Sequence, residues 1–473
     1  MFTKEVYVER RNKLKKEMNS GIGLFPANPD ASFNYPANIY HYRQDSHFSY
    51  FFGINHPGFC GLIDFESGEE LLFGNDYDID DIIWMGEQPS VARQAAEVGI
   101  NATLAYSELG NWISKAMQQG RVIHYLPPYR SKLMIEMGRM LGMPGHEVKA
   151  GASIPLIKAV VKLKEIKDDL EISEIEKAVD VAWLMHTTAM KMAKPGLIEQ
   201  EIAGTIEGIA LAHGGPVSFP VILSINGQTL HNHYHGNVLT EGRMLVVDAG
   251  AELPSLYSSD ITRTIPVGGK FNARQKDIYE IVLKANMESI KATAPGLPYR
   301  DMHFVAARII AEGLKSVGLM KGNTDDAVAA GAHTLFFPHG LGHMLGMDVH
   351  DMEGLGENHV GYDEETKRSD QFGTAYLRMG KRLKAGMVMT NEPGIYFIPA
   401  LIDKFRNEKK FMDFVNYDKV EQFKDFGGIR IEDDILVTEQ GHRILGRPIP
   451  KTVAEVEATA SEQRDWLKIK GVY

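Results

Sequence analysis

Cysteine is almost absent from this sequence: Cys60 is the only one among 473 residues. A single cysteine excludes an intrachain disulfide and a structural zinc site built from several cysteines, and it is typical of proteins from reducing compartments. Cys60 falls in an apolar, strand-like stretch, Phe59–Ile63. We therefore expect it to be a small buried hydrophobic residue rather than a nucleophile.

Long apolar runs and an excess of positive charge are missing as well. No stretch approaches the roughly 20 apolar residues needed to cross a bilayer, and the charged start, residues 1–16, lacks the apolar segment of a secretory signal. These absences predict a cytoplasmic protein. Acidic residues outnumber basic ones by 62 to 51, which gives a formal charge of −11. This balance argues against nucleic acid or an anionic membrane as the main partner.

The chain is too long for one typical domain. A charged stretch over residues 158–170 reads as a boundary, so we predict a smaller N-terminal α/β domain over 1–165 and a larger domain over 166–473. The first part alternates helical and strand-like stretches. They are a helical pattern over 89–98 and apolar runs at Gly21–Phe25, Phe59–Asp64 and Glu70–Phe73.

The second part separates helices from short β-rich runs. Apolar residues repeat at helical spacing from Leu170 to the stop at Pro195-Gly196. Further helices are predicted at 198–212, 273–292 and 301–317, and strands at 221–225, 244–248, 256–267, 387–390 and 428–437. Blocks of this kind predict an α+β domain with a curved antiparallel sheet.

Five candidate metal ligands lie in the second part, each after an apolar strand or among glycines: Asp248, Asp260, His343, Glu392 and Glu432. Taken singly, each has an ordinary structural explanation, such as a turn or a solvated strand end. Taken together, four carboxylates and one imidazole form a hard, oxygen-rich set, and carboxylates at the ends of strands in one sheet can converge on a single site. The set therefore predicts a hydrolytic pair of ions.

The motifs around these residues resemble those of the proline-specific metallopeptidases with the pita-bread fold, a family that includes aminopeptidase P and prolidase. HGLGHMLGMDVHD (339–351), NEPGIYF (391–397) and GGIRIEDD (427–434) carry the resemblance, and YRQDSHFSYFFG (42–53) is similar to the family's N-terminal domain. One departure is the loop between Asp248 and Asp260, which is slightly longer than is usual in the family and could shift Asp260.

The resemblance implies a role for each ligand. Asp248 would chelate one ion, His343 would bind the other, and Asp260 and Glu432 would bridge the two. Glu392 would bind an ion and also act in proton transfer. Two divalent ions would share a hydroxide that attacks the scissile carbonyl, with the proton passing to the prolyl nitrogen. Manganese fits the ligand set and is common in the family, although cobalt, iron or zinc could also bind.

Substrate-side roles follow from the resemblance too. His231 would be the substrate-side histidine, and His339 would contact substrate. His350 could stabilise the oxyanion. Two further assignments keep alternatives open: Arg430 as a catalytic residue that is either a salt-bridge partner of the ligand carboxylates or a substrate contact, and Arg378 as a carboxylate contact or a surface residue. Tyr396 would line a proline pocket with His339 and Arg430. His233 and His235 read more simply as a polar loop edge.

The leading interpretation is an Xaa-Pro aminopeptidase that acts on peptides with proline in second position and forms a homo-oligomer. An Xaa-Pro dipeptidase is the nearest rival, because it shares every ligand. Methionine aminopeptidase is a weaker rival, since it usually lacks a large N-terminal domain. A metal-free binding protein of this fold and a metal-free creatine-hydrolysing relative are disfavoured because all five ligand positions are intact.

Overall fold

The computed structural model describes residues 2–462, which divide into two compact units. The first unit comprises the chain up to Lys164 together with Met352–His359, and the second comprises the remainder from Glu165 onwards. The predicted first domain, residues 1–165, does not contain the segment Met352–His359, which the structure groups with the first unit. Among the described residues, no helix has the length and apolar character needed to cross a bilayer.

The first unit contains a five-stranded mixed sheet. The strands of this unit, in chain order, are β1 (Ile22–Pro26), β2 (Ser32–Tyr35), β3 (Asn38–Ile39), β4 (Cys60–Asp64), β5 (Glu70–Gly74), β6 (Ala102–Ala105) and β7 (Ile123–Tyr125). Strands β2 and β3 form a separate short hairpin, and the other five form the sheet. The sheet order is β6-β5-β4-β1-β7, in which β1 pairs antiparallel with β4 and parallel with β7. The α/β character predicted for this region is therefore present.

This part of the chain also contains eight α-helices among its described residues. They are α1 (Lys4–Glu17), α2 (Ser46–Phe52), α3 (Ile79–Met85), α4 (Val91–Glu97), α5 (Leu109–Gln118), α6 (Ser131–Leu141), α7 (Gly145–Val148) and α8 (Ile154–Lys164). Cys60 lies in the core with Leu62, Phe73 and Ile113, fully shielded from solvent. Burial raises the pKa of its thiol, so its expected role as a small hydrophobic residue is confirmed.

The remaining helices lie from residue 169 onwards. They are α9 (Asp169–Met192), α10 (Glu199–Ala212), α11 (Ala273–Ala292), α12 (Tyr299–Ser316), α13 (Thr324–Ala330), α14 (Glu357–Val360), α15 (Pro399–Asn407), α16 (Tyr417–Val420) and α17 (Val453–Ser461). A reciprocal capping box starts α9, because Asp168 accepts from the Glu171 amide at 2.9 Å and Glu171 accepts from the Asp168 amide at 3.1 Å. The four long helices predicted in this part match α9 to α12.

The strands of the second unit pair antiparallel throughout the described residues. They are β8 (Ile222–Ser224), β9 (Met244–Ala249), β10 (Ile261–Pro266), β11 (Val388–Asn391), β12 (Gly394–Tyr396), β13 (Gly428–Arg430), β14 (Asp433–Thr438) and β15 (Gly441–Ile444). Three sheets result, ordered β10-β9-β8, β11-β14-β15 and β12-β13. The predicted antiparallel pairing is confirmed, although it is distributed over three sheets.

Two predicted strands differ from the observed ones. The strand predicted from residue 256 begins only at Ile261, because Leu256 takes a left-handed conformation with φ 69° and closes a turn on Leu253. The strand predicted over 428–437 is interrupted at Ile431-Glu432. There the Glu432 amide donates to the Thr262 carbonyl, and the chain leaves its pairing with β12 to pair with β11.

The side chain of Arg263 connects several chain segments of the second unit through hydrogen bonds. Its guanidinium is fully buried and donates to the Glu432 carbonyl at 2.6 Å, to the Asp433 carboxylate at 2.7 Å and to the Pro450 carbonyl at 2.9 Å. Lys451 also pairs with Asp433, at 2.6 Å. Several chain segments therefore depend on one cation that cannot be replaced by water.

Replacing Arg263 by methionine should destabilise the protein by about 3–5 kcal/mol, since it leaves a buried carboxylate with one partner and several carbonyls with none. Urea denaturation followed by circular dichroism measures the change. The control is R382M, which breaks the exposed Arg382–Glu365 pair and should cost less than about 1 kcal/mol. Equal losses in the two variants would contradict the central role of Arg263.

Candidate active site

A cavity of about 480 Å³ opens in the second unit. Ten of the residues singled out in the sequence share its lining: His231, Asp248, Asp260, His339, His343, His350, Arg378, Glu392, Arg430 and Glu432. Apolar side chains, among them Phe219, Leu230 and Val349, complete the wall together with His233 and Tyr376. The cavity therefore combines a cluster of ionisable groups with an apolar surface, as substrate sites commonly do.

The strand pairing explains how distant carboxylates meet. Asp248 lies in β9 opposite Thr262 of β10, and Asp260 lies immediately before β10. Glu392 follows β11, and Glu432 lies between β13 and β14. The Thr262 hydroxyl donates to the Glu432 carboxylate at 2.6 Å, which fixes Glu432 against the β9–β10 hairpin. The longer loop before Asp260 has not displaced it from the cavity.

Asp260, His343 and Glu432 form the tightest group. Each offers a ligand atom, and these atoms lie within 4.8 Å of one another. The His343 Nε2 atom is 3.3 Å from Asp260 Oδ2 and 3.8 Å from Glu392 Oε1. This spacing is suited to a shared cation, because each of these atoms can contribute a lone pair.

The hydrogen bonds of His343 fix its tautomer. Its Nδ1 atom lies 3.0 Å from the Met344 carbonyl, which can only accept, so Nδ1 carries the proton. Burial, reinforced by the neighbouring His350, lowers the pKa of His343 well below its usual value, so the ring is neutral. Nε2 therefore points a lone pair at two carboxylates. Metal-binding histidines commonly donate their second nitrogen to a carbonyl in this way.

The cavity holds more negative charge than its own cations balance. Burial, followed by repulsion from Glu432, raises the pKa of Asp260 well above its usual value. Burial, followed by repulsion from Glu392, does the same to the pKa of Glu432. Divalent cations would relieve this repulsion, which is the behaviour expected of a ligand set.

Arg430 compensates one of the carboxylates. Its Nη2 donates to Asp248 Oδ2 at 2.5 Å, its Nε donates to the Thr262 hydroxyl at 3.0 Å, and its Nη1 donates to the Tyr396 hydroxyl at 2.8 Å. Asp248 Oδ1 is buried and has no hydrogen-bond partner among the described residues. The arrangement therefore fits a divalent cation: one oxygen of Asp248 is oriented by Arg430, and the other is available as a ligand.

The side chain of Tyr396 is fully buried and lies behind the cavity wall. Its hydroxyl is 2.9 Å from His339 Nε2, and His339 Nδ1 is 2.8 Å from the Gly340 carbonyl. Burial, followed by the charge of Arg430, lowers the pKa of His339 to about 3, so this ring is neutral. Nδ1 must then donate to Gly340, and Nε2 must accept from Tyr396, which in turn accepts from Arg430.

Three further histidines lie in the cavity lining. His231 and His233 are exposed residues of the cavity lining, and burial followed by Arg430 lowers the pKa of His231. The ring of His350 lies 4.0 Å from that of His343, measured between centroids. Arg378 is half-buried beside them. His233, interpreted from the sequence as a polar loop edge, thus joins His231 at the cavity.

Several residues that shape the site were not identified from the sequence. Thr262 bonds both Arg430 and Glu432, Thr390 bonds His343, and Asp434 accepts from the Asp260 amide at 3.0 Å. Burial raises the pKa of Asp434 well above its usual value. Strand parity could have indicated Thr262, since it lies two residues after Asp260. Thr390 and Asp434 also lie two residues from Glu392 and Glu432, but their hydrogen bonds with His343 and Asp260 join segments that are distant in sequence and could not be predicted from the local pattern.

The sequence matches two known protein families. A profile of metallopeptidase family M24 matches residues 173–439, more than half of the chain, and a profile of the aminopeptidase P N-terminal domain matches residues 7–124. The chain belongs to metallopeptidase family M24. It is therefore a hydrolase, and the family implies divalent metal ions.

Individual members of the family align over most of the chain. The Xaa-Pro dipeptidase of Homo sapiens is 32% identical over 427 residues, covering 88% of this chain and 84% of the relative. A probable Xaa-Pro aminopeptidase of Fusarium vanettenii is 31% identical over 424 residues, covering 89% and 88%. Aminopeptidase P from Escherichia coli, in its low-pH form, is 28% identical with a TM-score of 0.81, covering 98% and 99%. The predicted fold class, a pita-bread domain after a smaller α/β domain, is confirmed.

The electrostatics of Glu392 can be tested in the metal-free protein. Burial raises the pKa of Glu392 to about 7, with Arg430 opposing the shift and Asp248 adding to it, whereas an unfolded glutamate titrates near 4.3. The folded state therefore binds the extra proton between these values, and stability is lost as the pH rises through about 7. Glutamine at this position cannot ionise.

With chelator present, we expect the melting temperature of E392Q minus that of the wild type to become more positive from pH 5 to pH 8. Differential scanning calorimetry at several pH values measures it. The exposed Glu365 supplies the control E365Q, whose difference should not rise in that range. A flat or falling difference for E392Q would show that Glu392 is not held in an unfavourable ionised state.

Proposed function

We propose that this metallopeptidase is an Xaa-Pro aminopeptidase that uses two divalent ions to cleave the bond between an N-terminal residue and a following proline. The observation that carries the proposal is the convergence of Asp260, Glu392 and Glu432 on the neutral His343, whose Nε2 lone pair faces Asp260 and Glu392 at 3.3 and 3.8 Å. The similarity to aminopeptidase P over 98% of this chain supports the choice of reaction.

We assign the ligands as the motifs imply. Asp248 would bind one ion through the oxygen that Arg430 leaves available, and His343 and Glu392 would bind the other. Asp260 and Glu432 would contribute to holding both ions. When bound, the ions supply a water of lowered pKa and polarise the scissile carbonyl. Manganese remains the expected metal, because the set is hard and oxygen-rich.

The residues of the chain supply proton transfer and orientation. Glu392 is one-fifth exposed towards the cavity, so its carboxylate can accept a proton from the attacking water and donate it to the leaving group. We propose that it delivers the proton to the prolyl nitrogen as the bond breaks. His231 and His350, at the same cavity, are proposed to donate to the substrate carbonyl oxygen.

Proline selectivity follows from the hydrogen bonds of His339. Both of its ring nitrogens are already used, by Tyr396 and by the Gly340 carbonyl, so the ring can offer only its surface to a substrate. A bond to proline is a tertiary amide without an N–H. The surface of His339 therefore offers no free hydrogen-bond acceptor. Such a surface suits the prolyl ring, whereas the amide N–H of any other residue would be left unpaired against it.

Phenylalanine at position 396 should weaken this selectivity, because it removes the hydroxyl that occupies His339 Nε2. We expect the ratio of kcat/KM for Ala-Pro-Ala over Ala-Ala-Ala to fall by roughly fivefold to tenfold, the worth of about one hydrogen bond. Steady-state kinetics on the two peptides measures it. The control Y376F changes a tyrosine of the cavity lining and should leave the ratio within about twofold. An unchanged ratio in Y396F would refute this account of selectivity.

The dipeptidase remains the second candidate because a curated dipeptidase is 32% identical to this chain. A dipeptide would present a free carboxylate to the cavity, and Arg378 at its lining could pair with it. The longer substrates of an aminopeptidase make no such demand. Comparing Ala-Pro with Ala-Pro-Ala as substrates separates the two candidates.

We expect release of alanine from Ala-Pro-Ala, with loss of activity on chelation and recovery with Mn²⁺. D260N should lose at least about 100-fold in kcat and bind less metal by elemental analysis, since a bridging carboxylate is removed. E365Q, an exposed acid-to-amide change, is the control. Full turnover by D260N, or hydrolysis of Ala-Pro alone, would rule out the proposed enzyme.

Other assignments stay predictions. They are the domain boundary at 165/166, cytoplasmic location and homo-oligomeric state. Methionine aminopeptidase is disfavoured by the match to the aminopeptidase P N-terminal domain over residues 7–124. A metal-free binding protein and a creatine-hydrolysing relative are disfavoured by the chelating groups that remain at all five positions.

A further inference from the structure

Thr390 connects two of the proposed ligands of one ion. It lies in β11, two residues before Glu392, and is completely buried. The His343 amide donates to the Thr390 hydroxyl at 3.1 Å, and the Thr390 amide donates to the His343 carbonyl at 3.0 Å. The two residues are thus joined by a reciprocal pair of hydrogen bonds.

The same strand places the other ligand against this loop. Two residues after Thr390, the Glu392 amide donates to the Leu341 carbonyl at 2.8 Å. Because the Thr390 hydroxyl oxygen accepts from the His343 amide, its own hydrogen is available to the Glu392 carboxylate, and this interaction acts to lower the pKa of that carboxylate. His343 Nε2 and Glu392 Oε1 lie 3.8 Å apart.

The surroundings hold Thr390 in place. The Tyr299 hydroxyl, at the start of α12, donates to the Thr390 carbonyl at 2.5 Å. On the other side a Cβ at Gly342 would lie 2.1 Å from that carbonyl oxygen and 2.8 Å from the Thr390 hydroxyl. Only glycine at position 342 allows the loop that carries His343 to approach β11 this closely.

We propose that Thr390 is a positioning residue that sets His343 and Glu392 for the same ion, acting through them without touching substrate. The inference rests on the proposed function for its metal. A purely structural role for the hydroxyl would affect folding and leave metal affinity unchanged. Metal affinity therefore separates the two explanations.

The chain offers a matched control at Thr264 in β10. Its hydroxyl accepts from the Arg430 amide at 3.1 Å and donates to the Arg430 carbonyl at 3.0 Å. Thr264 is also completely buried. It therefore reproduces the burial and the neutral hydrogen bonds of Thr390 but contacts no ligand carboxylate.

Calorimetric titration of the chelator-treated protein with Mn²⁺ tests the proposal on T390V, T390S and T264V. We expect T390V to raise the Mn²⁺ dissociation constant about 10–100-fold, in the range found for residues that orient metal ligands. T390S keeps the hydroxyl and should stay within about threefold of the wild type, as should T264V. In peptide hydrolysis T390V should lower kcat with little change in KM.

Wild-type Mn²⁺ affinity and kcat in T390V, with a melting temperature lowered as in T264V, would overturn the inference and leave the proposed enzyme intact. If T390V fails to fold, T390A removes the same hydroxyl and is read by the same criteria. If the wild type itself binds no Mn²⁺, both the inference and the proposed function are wrong. Failure of the inference and failure of the function are thus distinguishable.

Discussion

Unbalanced negative charge in one cavity is the constraint that the rest of the second unit must satisfy. Removing an ionised carboxylate from water costs several kcal/mol unless a cation or a proton accompanies it. Arg430 accompanies Asp248, while burial and repulsion from neighbouring carboxylates raise the pKa values of Asp260 and Glu432. The fold therefore holds these groups together at a cost that metal binding would repay.

Neutral donors, rather than additional cations, hold the carboxylates in place. The Thr262 hydroxyl donates to Glu432, and the Thr390 hydroxyl acts to lower the pKa of Glu392. A lysine or arginine at these positions would satisfy the carboxylates but compete with a metal ion for them. Hydroxyl groups orient an anion without cancelling its charge, which keeps the site receptive to divalent cations.

Much of this arrangement could be predicted from the sequence, because the ligands follow apolar runs and belong to recognisable motifs. Local patterns could not separate β13 from β14, since the interruption at Glu432 depends on a hydrogen bond to Thr262, 170 residues away. The turn at Leu256 could not be predicted either, because its apolar neighbours continue the pattern of a strand. Tyr396 was expected to line a proline pocket, yet its hydroxyl lies behind the wall and acts on His339.

The same cation links charge balance and substrate choice. Arg430 donates to Asp248 on the side of the metal ligands and to Tyr396 on the side of His339. Because Tyr396 accepts from Arg430, its single proton must go to His339 Nε2, and that ring nitrogen can no longer accept from a substrate. The geometry that balances a ligand carboxylate thereby also removes a hydrogen-bond acceptor from the cavity wall. On the proposed assignment, selectivity for a substrate nitrogen without a hydrogen would be a consequence of how the ligands are held.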